Sequence, residues 1–338
     1  LTNGKYGLDA KYLLCNGPFH VSKWTEKTSV KLAKNNEYNG ESSVSPSSVT
    51  FYINNDDSEV ADKMNSVTYD VAFLSSSQFS SIENKKDLNS VAVQNVTYSF
   101  IFNQNDNNYR NKNMRLAFCR SCDTSSLFDS QSDISKADGI VPPSCKIGGE
   151  DYRNGNAAEL LSYDETLAKK NFNDALLDLG SSSVETTILC TEQYEPFVKQ
   201  MVQKLQKTLG VKFVSTVKVV SESDLEAAVN DGNYSVAFYP FKAKSSFAGE
   251  IIEGFDQNNI FGYESDVLSQ KIRNIKNNSG SLEGERSAVA DAENYLVSEA
   301  VIMPVFYENS YFVTSKKTSG IYFYSSADNV CFINAKKS

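Results

Sequence analysis

The segment between Val184 and Tyr239 constrains the fold more than any other part of the chain. Val184 to Cys190 is a short run rich in β-branched residues, which is typical of a buried strand. From Tyr194 to Leu209 the apolar residues recur every four positions, which predicts one apolar stripe on a helix: Phe197, Met201, Leu205 and Leu209. Gly210 follows at the position where a glycine commonly ends a helix.

Two further elements continue this alternation. Residues 211–220 alternate apolar and polar side chains as a strand, residues 221–232 predict a short helix entered through Ser221 or Ser223, and YSVAFY at 234–239 returns as a strand. The order β-α-β-α-β implies an α/β fold with a largely parallel sheet and helices on its faces. Ligands in this class bind beyond the carboxyl ends of the strands, so the loop expected after Tyr239 is a predicted site.

The flanking regions predict shorter elements. Gly17 to Val30 has the pattern of a hairpin, and Tyr69 to Leu74 is a short apolar run typical of a buried strand in an α/β sheet. Glu285 to Ser298 predicts an amphipathic helix, and residues 300–313 predict two short strands that are broken at Pro304.

Composition excludes several classes of function. The 338 residues carry 33 Lys and Arg against 42 Asp and Glu, and no basic run could follow a phosphate backbone, so nucleic acid is not an expected partner. No apolar stretch is long enough to span a membrane as a helix. The single histidine, His20, excludes a site with several histidine ligands, and we expect no metal and no cofactor.

The remaining reactive residues also have ordinary interpretations. Cys119 and Cys122 have the C-x-x-C spacing of a redox pair, but no thioredoxin-like strand pattern precedes them, so a buried helical face is the favoured interpretation. His20 lies in a predicted strand without a G-x-S-x-G turn elsewhere, and the carboxylate pairs Asp56-Asp57 and Glu150-Asp151 lie in polar loops. We therefore expect no catalytic residue and no enzyme activity.

A series of motifs resembles a known family. Gly17-Pro18-Phe19, then Trp24 and LAKNNEYNG, is similar to a passage of the extracellular solute-binding proteins of family 5, the oligopeptide-, dipeptide- and nickel-binding proteins of ABC importers. NMRLAFCRSCDTSSLF at 113–128 resembles a family helix, and DGIVPPS at 138–144 resembles its G-x-x-P-P turn. YDETLAKKNFNDA, the β-α-β-α-β unit, FGYESDVLSQKI and AENYLVSEAVIMPVFY follow in the family's order.

This resemblance implies an architecture. The family's fold is α/β and like that of type II periplasmic binding proteins, with two lobes joined by a hinge. We expect residues 1–98 and 311–338 to form lobe one and residues 99–310 the second lobe, with hinge crossings near 99–102 and 306–310. The match begins inside the family's usual length, so the amino-terminal part of lobe one is expected to be absent from this chain.

The resemblance also implies a function. The family captures a peptide or small solute in a cleft between the lobes and delivers it to the membrane permease of an ABC importer. The alternative is a surface interaction or sensory protein that has the fold but does not transport. The expected location is extracellular, with a lipid anchor on the outer face of the cytoplasmic membrane, or periplasmic in a cell with two membranes.

The predicted ligand-binding residues follow from the strand ends and the expected hinge: Tyr239, Pro240, Phe241, Lys244 and Tyr307. The family usually has an aspartate just after the strand that YSVAFY matches, and that acid pairs with the peptide's ammonium group. Here residues 233–249 contain no acid and offer Lys242 and Lys244 instead. If Lys244 lines the cleft, the protein is expected to prefer acidic or amino-blocked ligands.

Overall fold

The computed structural model describes residues 4–41, 43–53, 57–124, 127–128, 132–256, 259–324 and 329–338. The chain divides into two compact units. Unit 1 comprises residues 1–93 and 309–338, and unit 2 comprises residues 94–308. The chain therefore passes between the units twice, after Val93 and after Glu308.

The described residues form short strands and ten α-helices. The strands are β1 Phe19–Thr25, β2 Ser29–Lys34, β3 Ser48–Tyr52, β4 Val71–Ser75, β5 Leu88–Val93, β6 Val96–Phe102, β7 Ile134–Lys136, β8 Lys146–Ile147, β9 Glu150–Asp151, β10 Val184–Cys190, β11 Phe213–Val219, β12 Val236–Lys242, β13 Ile302–Glu308, β14 Ser310–Ser315, β15 Thr318–Ser319, β16 Tyr322–Tyr324, β17 Asn329–Cys331 and β18 Lys336–Lys337. The α-helices are α1 Asp57–Asn65, α2 Ser76–Ser81, α3 Asn107–Arg110, α4 Lys112–Arg120, α5 Glu165–Leu179, α6 Glu195–Leu209, α7 Glu222–Asn230, α8 Ala248–Glu253, α9 Asp266–Asn277 and α10 Leu282–Ser298.

Unit 2 is built on a six-stranded sheet with the order β11-β10-β12-β6-β13-β7. β10 pairs in parallel with both β11 and β12, which confirms the predicted β-α-β-α-β unit. The expectation of a largely parallel sheet is wrong, because β12 pairs antiparallel with β6, β6 with β13, and β13 with β7. β6, β7 and β13 lie outside residues 184–239. The pattern of that segment therefore could not predict that they join its sheet.

Helices cover both faces of this sheet. One core lies against α4, α5 and α6 and includes Phe100, Ile188 and Phe238, and the other lies against α7 to α10 and includes Ile101 and Ala237. Successive strand residues point to opposite faces, which is why neighbours such as Phe100 and Ile101 belong to different cores. Burial on both faces leaves the central strands β6 and β13 little contact with water.

The apolar stripe of α6 and the caps of α6 and α7 agree with the sequence prediction. α6 buries Met201, Leu205 and Leu209 of the predicted stripe and packs Phe197 partly against the same core. Gly210 caps the helix with a φ of 78°, a conformation that glycine adopts at little cost. Ser221 caps α7 by accepting a hydrogen bond from the backbone N–H of Asp224.

Two predictions for single strands need correction. β13 runs unbroken through Pro304 and ends at Glu308, because a register shift between Pro304 and Phe306 accommodates the proline. The strand predicted at Tyr69 to Leu74 forms as β4, but it begins two residues later, pairs antiparallel with β14 and buries only Ala72 and Leu74.

Unit 1 contains smaller sheets. β1, β2 and β3 form an antiparallel sheet, which confirms the predicted hairpin, and His20 lies in β1 as an exposed strand residue. A second sheet has the order β4-β14-β5 and packs on α1 and α2 through a small core that includes Met64, Leu74 and Val313. The pairs β15–β18 and β16–β17 complete the described part of this unit.

The passages between the units lie near the expected hinge positions. The predicted segment 99–102 falls inside β6 of unit 2, whereas the passages follow Val93 and Glu308. A hinge motion about these passages stays a prediction. In the described part of the chain, no helix combines the length and the apolar character needed to cross a membrane.

Candidate functional site

The candidate site is the edge of the six-stranded sheet where β10, β11 and β12 have their carboxyl ends. Because β12 and β13 both pair antiparallel with β6, their carboxyl ends meet the amino end of β6. Lys242 lies opposite Val96, and Tyr307 lies opposite Thr97. The chain also leaves unit 2 at this edge, after Glu308. The edge therefore gathers residues that are far apart in sequence.

Two of the predicted residues lie on the sheet face that α7 to α10 cover. Tyr239 and Phe241 are partly buried against that core. The ring of Phe241 stacks on Phe255 and Phe261, with centroid distances of 5.9 and 5.8 Å. Burial, followed by the negative charge of Glu226, raises the pKa of Tyr239. The structure gives both side chains a packing role, and their contact with a ligand stays a prediction.

The side chain of Tyr307 is hydrogen-bonded within unit 2. Its side chain is buried, its hydroxyl accepts a hydrogen bond from the backbone N–H of Asp138 at 3.1 Å, and the same oxygen lies 3.3 Å from the carbonyl of Gly139. Burial is the main cause that raises its pKa. Tyr307 thus holds the 138–141 turn, and a role in ligand binding stays a prediction.

Pro240 and Lys244 do not lie in a loop that begins after Tyr239. β12 continues to Lys242 because its pairing with β6 extends to Val96, and Pro240 lies opposite Tyr98. β10 pairs with β12 only at Val236 and Ala237, so Pro240 lies where that side of β12 has no strand neighbour and a missing N–H is tolerated. Lys244 is exposed beyond the strand end and has no hydrogen bond or ion pair with any described residue.

The opposite face of the same edge carries an aromatic cluster that the sequence analysis missed. We define it by five rings, which lie within 6 Å of at least one other member: Tyr98, Tyr194, Phe197, Phe238 and Phe306. Tyr98 and Tyr194 approach most closely, with centroids 4.4 Å apart. Burial, followed by the negative charge of Glu308, raises the pKa of Tyr98 to about 12.

Glu308 adds a carboxylate to this cluster. It is the last residue of β13, is partly exposed, and accepts a hydrogen bond from the buried hydroxyl of Tyr194 at 3.3 Å. Burial raises the pKa of Tyr194, and the neighbouring Tyr98 and Glu308 raise it further. The signal that could have found Glu308 is strand alternation, since Phe306 and Glu308 are two positions apart on one strand.

A buried ion pair supports the turn behind the site. Glu293 of α10 is 1% exposed and accepts hydrogen bonds from the backbone N–H groups of Ile140 and Val141 at 2.7 and 2.9 Å. Its other partners are the hydroxyl of Tyr152 and the guanidinium of Arg153, whose Nη1 lies 2.9 Å from Oε2. The carboxylate is therefore fully used in fixing the 138–141 turn to α10.

The cysteine pair lies in the core of unit 2. α4 ends at Arg120, so Cys119 is its last buried residue and Cys122 lies just beyond the helix. Both thiols are free, and burial raises the pKa of each to about 12. The packing of both side chains in the core confirms the interpretation of a buried face. Protonated, enclosed thiols are poor nucleophiles.

A further thiol lies at this edge, because the free Cys190 ends β10, but it is buried and burial raises its pKa to about 11. In the parts of the chain that the structure covers, three or more His, Cys, Asp or Glu side chains nowhere come together as a metal site. Glu150 and Asp151 form the exposed strand β9, and Asp151 pairs with Lys146 at 2.7 Å. Asp56 lies outside the described residues.

Comparison with known proteins agrees with this architecture. The sequence profile described as "Bacterial extracellular solute-binding proteins, family 5 Middle" matches residues 2–261. The dipeptide-binding protein DppE of Bacillus subtilis is 22% identical over 327 residues, which is 94% of this chain and 60% of DppE. The chain thus spans somewhat less than two thirds of that relative's length.

Solved structures show the same fold. The substrate-binding domain of an oligopeptide ABC transporter from Bacillus anthracis matches with a TM-score of 0.77 and 17% identity. Listeria monocytogenes OppA bound to peptide matches with a TM-score of 0.76 and 20% identity. Each alignment covers 99% of this chain and 67% of the other. The chain has the α/β fold of these binding proteins and belongs to the bacterial extracellular solute-binding proteins of family 5.

Proposed function

We propose that this protein is the ligand-binding component of an ABC importer, which captures peptides and presents them to a membrane permease. The observation that carries this proposal is the family match over residues 2–261, together with a fold shared over nearly the whole chain with peptide-binding structures. DppE is named as a dipeptide-binding protein, and the Listeria structure holds a peptide.

The site of capture is the sheet edge of unit 2. Tyr239, Pro240, Phe241, Lys244 and Tyr307 remain the proposed ligand-binding residues, and the partly exposed Tyr98 and Glu308 lie at the same edge. Aromatic rings with a few polar groups at strand ends suit a ligand that offers both side chains and hydrogen-bonding groups. Binding requires no chemical step, so the protein acts without a cofactor.

The proposed location follows from this function. A receptor that feeds a membrane permease works outside the cytoplasmic membrane, either held there by a lipid anchor or in the periplasm. Its partners are a peptide or related small solute and the permease subunits of the importer.

Retention of peptides tests the proposed function. The protein is dialysed against a pool of randomised tetrapeptides, and the retained peptides are identified by mass spectrometry, with an unrelated protein of equal net charge as control. We expect enrichment of a subset of peptides. Retention no greater than that of the control protein would contradict peptide capture.

A further inference from the structure

We propose that Cys119 and Cys122 form a binding site for a soft monovalent cation such as copper(I), with the thioether of Met201 as a third donor. Both thiols line a cavity in unit 2 whose wall includes Ile302 to Val305, in the amino-terminal part of β13. The candidate ligand site lies at the carboxyl end of the same strand. The metal site is therefore separate from peptide capture.

Helix geometry places the two thiols side by side. α4 ends at Arg120, and its cap residue Ser121 keeps helical backbone angles, with φ −83° and ψ −15°. Cys119 and Cys122 are therefore about one helical turn apart, and side chains at this spacing have Cβ atoms about 5–6 Å apart. Both line one cavity of about 200 Å³, so a single ion can reach both sulfurs.

Two methionines bring further sulfur to the thiols. The Sδ of Met201 on α6 lies 3.2 Å from the Sγ of Cys122, and Met303 lines the same cavity as both cysteines. Thiolate and thioether donors select copper(I) and similar soft ions over harder ones. Metal–sulfur bonds of about 2.3 Å place the sulfurs of a trigonal site about 4 Å apart, so rotation of these side chains is sufficient to admit the ion.

A buried cation nearby suits the charge of such a complex. Two thiolates and one copper(I) together carry one net negative charge. Arg115 lies one helical turn before Cys119 and is 3% exposed. Its guanidinium forms no ion pair with a described residue and donates only to backbone carbonyls, those of Tyr109, Arg110, Glu299 and Ala300. The anionic complex therefore places a counter-charge beside this buried guanidinium.

Binding exchanges protons for the ion without a change of oxidation state. Each thiol gives up its proton to solvent as its sulfur bonds to copper, which stays copper(I). Burial raises the pKa of each thiol to about 12. Three cations oppose this shift and one carboxylate adds to it: Arg115 and Arg120 act on Cys119, and Lys204 and Asp123 act on Cys122. Both thiols are therefore protonated at neutral pH, so binding releases two protons per ion and weakens as the pH falls.

The third donor reverses an expectation drawn from the sequence. A single histidine and a single C-x-x-C pair left no further ligand nearby, so no metal was expected. Met201 supplies that ligand from α6, 79 residues along the chain from Cys122. Spacing within one segment could not reveal this contact, because it depends on how α6 packs against the end of α4.

Competition with a chelator tests the site. The full chain carries Cys15→Ser and Cys331→Ser, which remove the two thiols that are not buried, and copper(I) is titrated against bicinchoninate in oxygen-free, lightly buffered solution. We expect one copper(I) per chain and two protons released per ion. Cys119→Ala and Cys122→Ala should each weaken binding more than roughly 100-fold, and Met201→Leu, which nearly keeps the side-chain volume, about tenfold.

Cys145→Ala is the matched control, because Cys145 is a similarly buried thiol in the core on the other face of the sheet. It should leave the affinity and the proton release unchanged. Binding that survives Cys119→Ala, or a single proton released per ion, would overturn the site, and unchanged affinity in Met201→Leu would overturn the third donor. The proton count needs neither alanine variant, so it decides the matter even if those variants do not fold. None of these outcomes bears on peptide capture.

Discussion

The six-stranded sheet of unit 2 and the sheet of β1, β2 and β3 in unit 1 differ in how far their strands are buried. In unit 2, helices cover both faces, and strand residues such as Phe100, Ile101 and Phe238 have no more than 1% exposure. In the β1–β3 sheet, none of the strand residues is buried. An alternation of apolar and polar residues is therefore enough to form a strand. Its apolar side chains become buried only where helices pack on the sheet.

The β1–β3 sheet nevertheless has an apolar face. Strand register aligns two rows of three apolar residues across it: Val21, Leu32 and Val49, and then Trp24, Val30 and Phe51. Trp24 is 50% exposed and Phe51 is 44% exposed. Because the strands of unit 2 are buried and those of this sheet are not, mutations in unit 2 are expected to cost more stability than mutations in this sheet.

The largest expected effect is that of Glu293→Ala in unit 2. The variant leaves the Arg153 guanidinium buried without its carboxylate and removes the acceptor of two backbone N–H groups. Breaking a buried ion pair in this way costs about 3–5 kcal/mol, to be measured by chemical denaturation. The matched control is Glu59→Gln in unit 1, which breaks the solvent-accessible pair with Lys63 and should cost less than about 1 kcal/mol. Equal losses would contradict the comparison.

Alkaline pH is expected to destabilise unit 2 next most strongly. Burial raises the pKa of Tyr98 to about 12 from 10.0, so the native state keeps a proton that the unfolded chain loses. Stability should be constant below pH 10 and fall as the pH rises from 10 to 12. Thermal unfolding between pH 8 and 11.5, with tyrosinate absorbance, measures this. Tyr98→Phe should make the fall shallower, and a fall as steep as that of the wild type would argue against the assignment.

The next prediction concerns the rates at which cysteines of the two units react with a thiol reagent. Cys15 of unit 1 is exposed, whereas Cys119 and Cys122 of unit 2 are buried. In native protein at pH 8 we expect Cys15 to react with a disulfide reagent at least roughly tenfold faster than either buried thiol. Peptide mapping after timed quenching identifies the labelled residues, and unfolded protein serves as the control. Comparable rates in the native protein would show that the core around α4 opens readily.

The smallest effect is expected on the exposed face of the β1–β3 sheet. Trp24→Thr removes an aromatic ring that is already half in water, so we expect a loss of less than about 1 kcal/mol. Met201→Ala, at a fully buried position of α6, should cost about 2–5 kcal/mol in the same denaturation experiment. A larger loss for Trp24→Thr would mean that this face is covered in solution.

Much of the fold was predictable where the signal was local. The strand at 184–190 has the predicted bounds, α6 begins one residue after its predicted start, and Ser221 and Gly210 act as helix caps as expected. Phe241 and Tyr307 both lie opposite Thr97 near the strand ends, whereas Tyr239 lies opposite Ser99 further inside the sheet, and ligand binding by all three stays a prediction. Their packing against Phe255, Phe261 and the 138–141 turn was not predictable, because those partners lie far away in sequence.

The sequence by itself determined the β-α-β-α-β unit, since helix and strand periodicity and capping are properties of neighbouring residues. It also determined the family, through motifs in a fixed order. Only the tertiary structure decided which distant strands joined that unit: β6 and β13 pair antiparallel beside β12 and bring Glu308 to Tyr194, more than a hundred residues away. The physical reason is that non-local pairing depends on the summed burial of both sheet faces, which no single segment encodes.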